Sequence, residues 1–188
     1  MKANKSKYLN KILTLSLLFF GYLYVTPYLS LFLFKGAIES NNSSKLNGFI
    51  DFYSFRNSLK SQLKPAFQNK LASKIENTPF SEIGIIIANP ILNKTVDSIV
   101  ENIASPKGFH LLLTSGKIYQ SEGQKLNLKE NIEAKKSNVF KLYYNGINSF
   151  VVSSQIMEVS KPIKIYWSRK NIYDWKLTSV LLPSELLD

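Results

Sequence analysis

The longest apolar run of the chain lies near its N-terminus, where the 23 positions of residues 12–34 carry no charged side chain. As an α-helix this run would extend about 34 Å, compared with about 30 Å for the hydrocarbon core of a bilayer. Pro27 cannot donate a backbone hydrogen bond, and it favours a new turn with Thr26 as its cap. The pattern predicts a transmembrane anchor over 12–34, with 28–40 as the first helix of the domain that follows.

Basic residues precede this run without any acidic residue, in the order Lys2, Lys5, Lys7 and Lys11. Such a bias predicts a cytoplasmic N-terminus, so that the domain would lie on the other side of the membrane, in the periplasm or an equivalent lumen. A cleaved signal peptide is the alternative. It is disfavoured because its apolar core would be shorter and because Lys35 occupies the place where a small residue is expected.

The next part of the chain has the periodicity of helices. Large apolar residues recur at a spacing of four from Phe55 to Ile75, and Asp51 stands in front of them as the predicted N-cap. Pro65 within this stripe favours two helices that meet at an angle. Pro90 likewise divides the isoleucine-rich segment 80–103 into two predicted short helices, and Ser105-Pro106 opens a helix that runs to about Leu113.

From Val139 onwards the apolar residues follow the two-residue period of β-strands. Hairpin turns are predicted at Asn145-Gly146 and Lys170-Asn171, and Pro162 restricts its strand to an edge or a start. The predicted fold class is α+β, with an N-terminal transmembrane helix and then a helical half packed on a C-terminal antiparallel β-meander. The predicted organisation is a basic tail over 1–11, the anchor over 12–34, and one domain over 40–188 in which 115–138 is a mobile, lysine-rich loop.

The charge of the chain changes this picture little. Five of the 24 basic residues flank the apolar run, which leaves 19 against 13 acidic residues. Arg56 and Arg169 are the only arginines, whereas recognition of phosphates and bases favours arginine. Nucleic acid is therefore not an expected partner. The absence of cysteine and the presence of a single histidine argue against a thiolate or histidine metal site, and no cofactor is predicted.

A few residues are weak candidates for chemistry or binding. Asp51 and His110 are the catalytic candidates, although helix capping explains Asp51 and a partly exposed surface position explains His110. Arg56 is expected to pair with a carboxylate in the core, or else to bind an anion. Tyr166 and Trp175 are expected to pack in the sheet, with a role in lining an apolar pocket as the alternative.

The carboxylates of Asp97 and Glu101 share one face of a predicted helix, since they are four residues apart. Apolar residues occupy the other face of this segment. The carboxylate face is therefore expected to be the solvated side of the helix.

Several short motifs together resemble a known family. They are Tyr28, Ala37-Ile38, Ile50-Asp51-Phe52, Phe55-Arg56, Leu59-Lys60, Ser105-Pro106-Lys107-Gly108-Phe109 with Leu112, Phe150-Val151-Val152, Trp175-Lys176-Leu177 and Leu182-Pro183. This series, over residues 28–183, resembles the bacterial family known as domain of unknown function 2939. The resemblance implies a small envelope protein with an N-terminal membrane segment. It implies no activity and no catalytic residues, and the stretch 115–138 departs from the pattern.

Two classes of function follow from these observations. The first is a membrane-anchored, non-catalytic module that contacts lipid through residues 12–34 and binds a protein partner or a small apolar ligand. The second is a small pocket enzyme, a hydrolase or isomerase, that uses Asp51 or His110. The absence of a nucleotide-binding glycine loop, a GxSxG motif or an HExxH motif favours the first class.

Overall fold

The architecture comes from a computed structural model that describes residues 2–40, 43–75, 81–115, 117–119, 125–127, 139–155 and 160–186. Five helices come first in the chain: α1 (Lys2–Glu39), α2 (Ser43–Leu46), α3 (Phe52–Ile75), α4 (Ser81–Ile103) and α5 (Pro106–Ser115). The strands are β1 (Lys117–Tyr119), β2 (Lys125–Asn127), β3 (Val139–Gly146), β4 (Ser149–Gln155), β5 (Ile163–Arg169) and β6 (Trp175–Leu181). The last element described is a short 3₁₀ helix, Ser184–Leu186.

The second half of the domain is an antiparallel sheet in which the strands β3, β4, β5 and β6 are neighbours in chain order. The predicted α+β class, with a helical half and a C-terminal meander, is therefore confirmed. Two further short strands, β1 and β2, pair with each other within the stretch that was predicted to be a loop over 115–138. Most of that stretch lies outside the described residues.

The two interior prolines do not divide their helices. Pro65 lies inside α3 and Pro90 inside α4, so the prediction of two helices in each of these segments is wrong. The same holds for Pro27, because α1 continues through it and Thr26 does not cap a new helix. A proline removes one backbone hydrogen bond, and tertiary packing on the rest of a helix can outweigh that loss.

The helix starts predicted at Asp51 and Ser105 are confirmed. The Ser54 amide donates to Asp51 Oδ1 at 3.1 Å, and the Gly108 amide donates to Ser105 Oγ at 3.0 Å. Each side-chain oxygen thus accepts a hydrogen bond from one of the first amides of its helix, which have no partner within the helix.

The hairpin turns fall close to their predicted places. The turn between β3 and β4 consists of Ile147 and Asn148, two residues after the predicted position, because Gly146 still pairs with Ser149. Gly146 has a φ of 145°, which a residue with a side chain adopts at a cost. The second turn spans residues 170–174 and so includes the predicted Lys170-Asn171, and Pro162 directly precedes β5.

One face of the sheet packs against the helices and forms the core. Phe150, Trp167, Trp175 and Leu177 project from this face and are fully buried. Phe34 of α1 reaches them, since its ring contacts those of Trp167, Phe49 and Phe109. The helices and the turn after α4 contribute to the core Ala37, Leu46, Phe55, Leu59, Val96, Ile99, Val100, Ile103, Ala104 and Phe109.

Strand β6 lies at one edge of the sheet, but backbone groups on its outer side form hydrogen bonds to other parts of the domain. Leu177 forms an isolated bridge to Ile50, with hydrogen bonds to the carbonyl of Phe49 and the amide of Asp51. Further along, Val180 and Leu182 hydrogen bond to the side chains of Ser58 and Gln62 on α3. Helix α3 therefore covers this edge, and β3 is the edge strand at the other side of the sheet.

The close packing of α5 against the end of α4 predicts a strong effect of Gly108→Ala. A Cβ at Gly108 would lie 1.6 Å from the carbonyl oxygen of Asn102, a backbone atom that cannot move aside. We expect a loss of about 3 kcal/mol or more in the free energy of unfolding. Gly36→Ala in α1 is the control, because a Cβ there meets nothing within 4 Å. Thermal unfolding followed by circular dichroism measures both, and equal stability of the two variants would contradict the prediction.

Candidate functional site

The helix α1 has two halves with different surroundings. Residues 7–25 are exposed on every side, except for the half-buried Ser16 and Leu23. From Thr26 onwards one face is buried in the domain, at Thr26, Pro27, Ser30 and Ala37. The segment Lys7–Glu39 is long and apolar enough to cross a membrane, and only 17% of its most apolar 18-residue stretch is buried in the domain.

The sheet holds α1 at the point where these two halves meet. Pro27 has no amide hydrogen to donate to the carbonyl of Leu23, one turn earlier in the helix. That carbonyl instead accepts hydrogen bonds from Thr26 Oγ1 at 2.8 Å and from Arg169 Nη2 at 3.3 Å. The next carbonyl, that of Tyr24, accepts a hydrogen bond from Tyr144 Oη at 2.6 Å.

The same polar groups also contact one another, which fixes this part of α1 against the sheet. Trp175 Nε1 donates to Thr26 Oγ1 at 2.9 Å, and both residues are buried. The guanidinium carbon of Arg169 lies 4.5 Å from the centre of the Trp175 ring, in a cation–π contact. Arg169 therefore contacts both ends of the chain of hydrogen bonds that runs from Trp175 through Thr26 to Leu23. We call Leu23, Thr26, Pro27, Arg169 and Trp175 the helix joint.

Aromatic rings surround the helix joint on the side of β3 and β4. The ring of Tyr144 stacks on that of Tyr24 with a centroid distance of 5.2 Å, and it meets Phe150 edge-on at 5.3 Å. Tyr28 contacts Phe150 at 5.0 Å. The role of Trp175 is therefore packing within the sheet face, as expected, with its indole nitrogen bound to α1.

Asp51 is an ionised helix cap that also binds a lysine from the sheet. Lys170 Nζ lies 2.8 Å from Asp51 Oδ2, and the Ser54 hydroxyl donates to the same oxygen at 2.9 Å. Burial by itself would raise the pKa of Asp51, but the hydrogen bonds from Lys170 and Ser54 outweigh it and lower the pKa to about 2. Asp51 thereby connects the start of α3 to the turn between β5 and β6.

The other catalytic candidate, His110, lies on α5 next to the core residue Phe109. Its side chain is buried, with 7% of its surface exposed. The expectation of a partly exposed surface position is therefore wrong, because α5 turns this side of its N-terminal half toward the domain.

Arg56 pairs with a carboxylate, but at the surface rather than in the core. Its Nε lies 3.2 Å from Glu101 Oε2 on α4, and its Nη2 donates to the carbonyl of Ala104 at 3.1 Å. Lys60 and Lys64 continue the row along α3 and contact Asp97 at 3.1 Å each. Hydrogen bonds from Lys64 and Lys60 lower the pKa of Asp97. The face of α4 expected to be solvated thus carries ion pairs to α3, each typically contributing less than about 1 kcal/mol.

The other face of the sheet carries polar and basic side chains but is not wholly exposed, because Ser153 on the inner strand β4 is buried. Lys141, Ser153 and Lys164 are aligned across β3, β4 and β5, and the half-buried Tyr166 lies on the same face of β5 as Lys164. None of the four strands contains an acidic residue. Tyr166 is therefore on the opposite face from Trp175 and does not share a pocket with it.

An open groove of 480 Å³ lies between the end of α1 and α2. It is lined by Phe32, Leu33, Lys35, Gly36, Ala37, Glu39, Lys45 and Phe49. The sequence-based candidates do not line this groove. Among the described residues, no three histidine, aspartate or glutamate side chains lie close enough together to hold a metal ion.

The fold and the helix joint define a class of protein, an α+β domain fixed to one half of a long apolar N-terminal helix. A family model with the description "Protein of unknown function (DUF2939)" matches residues 16–112, slightly more than half of the chain. The chain therefore belongs to this family, the one that its motifs resemble. The match ends within α5, so the sheet part of the resemblance lies outside it. No curated protein and no solved structure matches the chain significantly.

Sequence reasoning did not predict the roles of Arg169 and Tyr144. A signal was present, because Pro27 leaves the Leu23 carbonyl without its helical donor and some other group has to supply one when that carbonyl is half-buried. The sequence could not say which donor it is, since Arg169 is 146 residues away.

A double-mutant cycle tests the helix joint. Arg169→Met removes the donor to Leu23 and the contact with Trp175, and we expect it to lower the free energy of unfolding by about 2 kcal/mol. In a Pro27→Ala background, the backbone of the substituted residue supplies the missing amide, so the cost of Arg169→Met should fall by about 1 kcal/mol. Arg56→Met is the matched control, because its partners lie on α4 and its effect should add to that of Pro27→Ala. Chemical unfolding measures all variants, and additivity of Arg169→Met with Pro27→Ala would contradict the assignment.

The Asp51 carboxylate predicts a specific loss of stability in acid. Its pKa of about 2 in the folded chain lies below the ordinary value of 3.8, so its contribution is complete above pH 4 and is lost as the pH falls toward 2. We expect a contribution on the order of 1 kcal/mol, because Lys170 is partly exposed to solvent. Asp51→Asn should remove this part of the pH dependence, and Lys170→Met should reduce it. An unchanged dependence in Asp51→Asn, measured by unfolding at several pH values, would show that the carboxylate has no such role.

Proposed function

We propose that this protein is a single-pass membrane protein of the bacterial envelope. Helix α1 crosses the inner membrane with its basic N-terminus in the cytoplasm, and it holds the α+β domain on the periplasmic side. The observation that carries this proposal is the exposure of the first half of α1. An isolated helix that is apolar on every side is unfavourable in water, and a bilayer covers all of its faces at once.

The distribution of charge supports this orientation. Lys7 and Lys11 stand at the start of the exposed half, and the next charged residue, Lys35, follows only after the helix has docked on the domain. Lysines at one end of an apolar helix favour the cytoplasmic side of a membrane. Tyr22 and Tyr24 are exposed near the other end of this half, and tyrosine is enriched toward the ends of membrane-spanning helices.

The domain is best described as a non-catalytic module that binds a protein or a small apolar ligand. The groove beside α2 offers mostly apolar walls, with Lys35, Glu39 and Lys45 also among its lining residues. Phe140 and Leu142 also remain exposed at the edge strand β3, on the same face of the sheet as the core residue Phe150. An edge strand with apolar side chains is a surface that an extended segment of a partner can join.

The alternative of an enzyme that uses Asp51 or His110 has less support. A carboxylate with a pKa of about 2 is a weak base at neutral pH, and both oxygens of Asp51 already accept hydrogen bonds. The side chain of His110 is buried beneath the surface of the domain.

Chemical labelling in cells tests the anchor and its orientation. The chain contains no cysteine, so single cysteines at Ser6 and at Phe140 report on the tail and the domain separately. In a Gram-negative host we expect both variants in the carbonate-washed membrane fraction. A membrane-impermeant maleimide should label the cysteine at 140 in spheroplasts, and the cysteine at 6 only after lysis. Recovery of the chain as a soluble species would refute the anchor, and labelling of position 6 in spheroplasts would refute the orientation.

A further inference from the structure

Two hairpin tips of the sheet lie beside the point where α1 leaves the domain. Arg169 Nη2 donates to the carbonyl of Leu23, and Arg169 Nη1 donates to the carbonyl of Ile172 at 2.8 Å. The Arg169 amide donates to the carbonyl of Asn148 in the other tip. Residues 145–148 and 170–174, here called the hairpin tips, are therefore held at the level of residues 23 and 24 of α1.

The hairpin tips expose large apolar and aromatic side chains beside their polar turn residues. Ile147 is 85% exposed, Tyr173 65% and Ile172 56%. Neither tip needs these residues for packing in the domain. Three such side chains at one end of a domain form an unusual surface in water, and they point to an environment other than water.

The length of α1 would bring the tips to the level of the membrane surface if α1 crosses the bilayer. The helix rises only about 18 Å from Lys11 to Leu23, and about 24 Å from Lys7 to Leu23. A hydrocarbon core is about 30 Å thick. Counted from Lys7, the boundary on the far side would therefore lie only about four residues beyond Leu23, where α1 is already docked on the sheet and within about 6 Å of the level of the tips. Tilting of the helix would shorten its span further.

We propose that the hairpin tips enter the lipid interface and form a second, shallow membrane contact beside the anchor. This inference rests on the proposed function, because it requires α1 to cross the bilayer. Ile147, Ile172 and Tyr173 would reach the boundary between headgroups and acyl chains, where apolar residues and tyrosine are favoured. The helix joint would then fix the orientation of the domain against the membrane.

Depth measurements with single-cysteine variants of the full chain test this proposal. Cysteine replaces Ile147 or Tyr173 at the tips, Leu17 in the proposed span, and Phe140 at the opposite end of β3. Phe140 is the matched control, since it is also an exposed apolar residue, with 63% of its surface accessible. Each variant carries an environment-sensitive fluorophore and is reconstituted in vesicles of phosphatidylcholine and phosphatidylglycerol.

We expect lipids with a quencher near the headgroup to reduce the fluorescence at 147 and 173 several-fold more than at 140. Aqueous iodide should quench the fluorophore at 140 more than those at 147 and 173. Lipids that carry a quencher deep in the acyl chains should act most strongly at 17. If position 17 is protected from iodide while 147 and 173 behave as 140 does, the tips do not enter the interface. In that case the tip contact is refuted and the proposed anchor is retained. If position 17 is itself accessible to iodide, the proposed anchor fails and the tip contact fails with it. Thermal unfolding checks that each labelled variant keeps its fold.

Discussion

The carbonyl of Leu23 is the group on which the arrangement of this protein depends. Pro27 removes its helical donor, and a half-buried carbonyl without a partner would cost on the order of 1–3 kcal/mol. Thr26 and Arg169 supply the missing hydrogen bonds, and Arg169 is held in turn by the ring of Trp175. A proline that would weaken an isolated helix thus becomes the site at which the sheet recognises that helix and fixes its position along the axis.

This joint separates the two roles of α1. Beyond it, Phe34 and Ala37 enter the core together with Trp167 and the helices α3 and α5. Before it, the helix is exposed and apolar. The proposed anchor and the domain therefore share one rigid element rather than a flexible linker, so a domain held in this way cannot move far from the membrane or rotate freely above it. An orientation of this kind suits a module that presents its groove and its open edge strand to a partner.

Local rules predicted those features of the fold that depend on neighbouring residues. The caps at Asp51 and Ser105, the start of β5 after Pro162, and the turn at 170–174 each need only a few adjacent side chains. The same rules were wrong at Pro65 and Pro90, because the loss of one backbone hydrogen bond at a proline was taken as the end of a helix. In α3, Phe55 and Leu59 are buried against α4 and the sheet, and this packing outweighs one missing hydrogen bond. The position of His110 was misjudged for a similar reason, since its burial depends on how α5 packs on the domain.

The sequence by itself determined the apolar N-terminal helix, the change from helical to strand periodicity and the membership of the family, because composition and spacing are properties of neighbouring positions. It did not determine which elements would cover one another. The partners of Leu23, Glu101 and Asp51 lie 146, 45 and 119 residues away along the chain, on elements that meet them only after folding. Tertiary structure decided the helix joint and the level of the hairpin tips, since both depend on where α1 lies across the sheet.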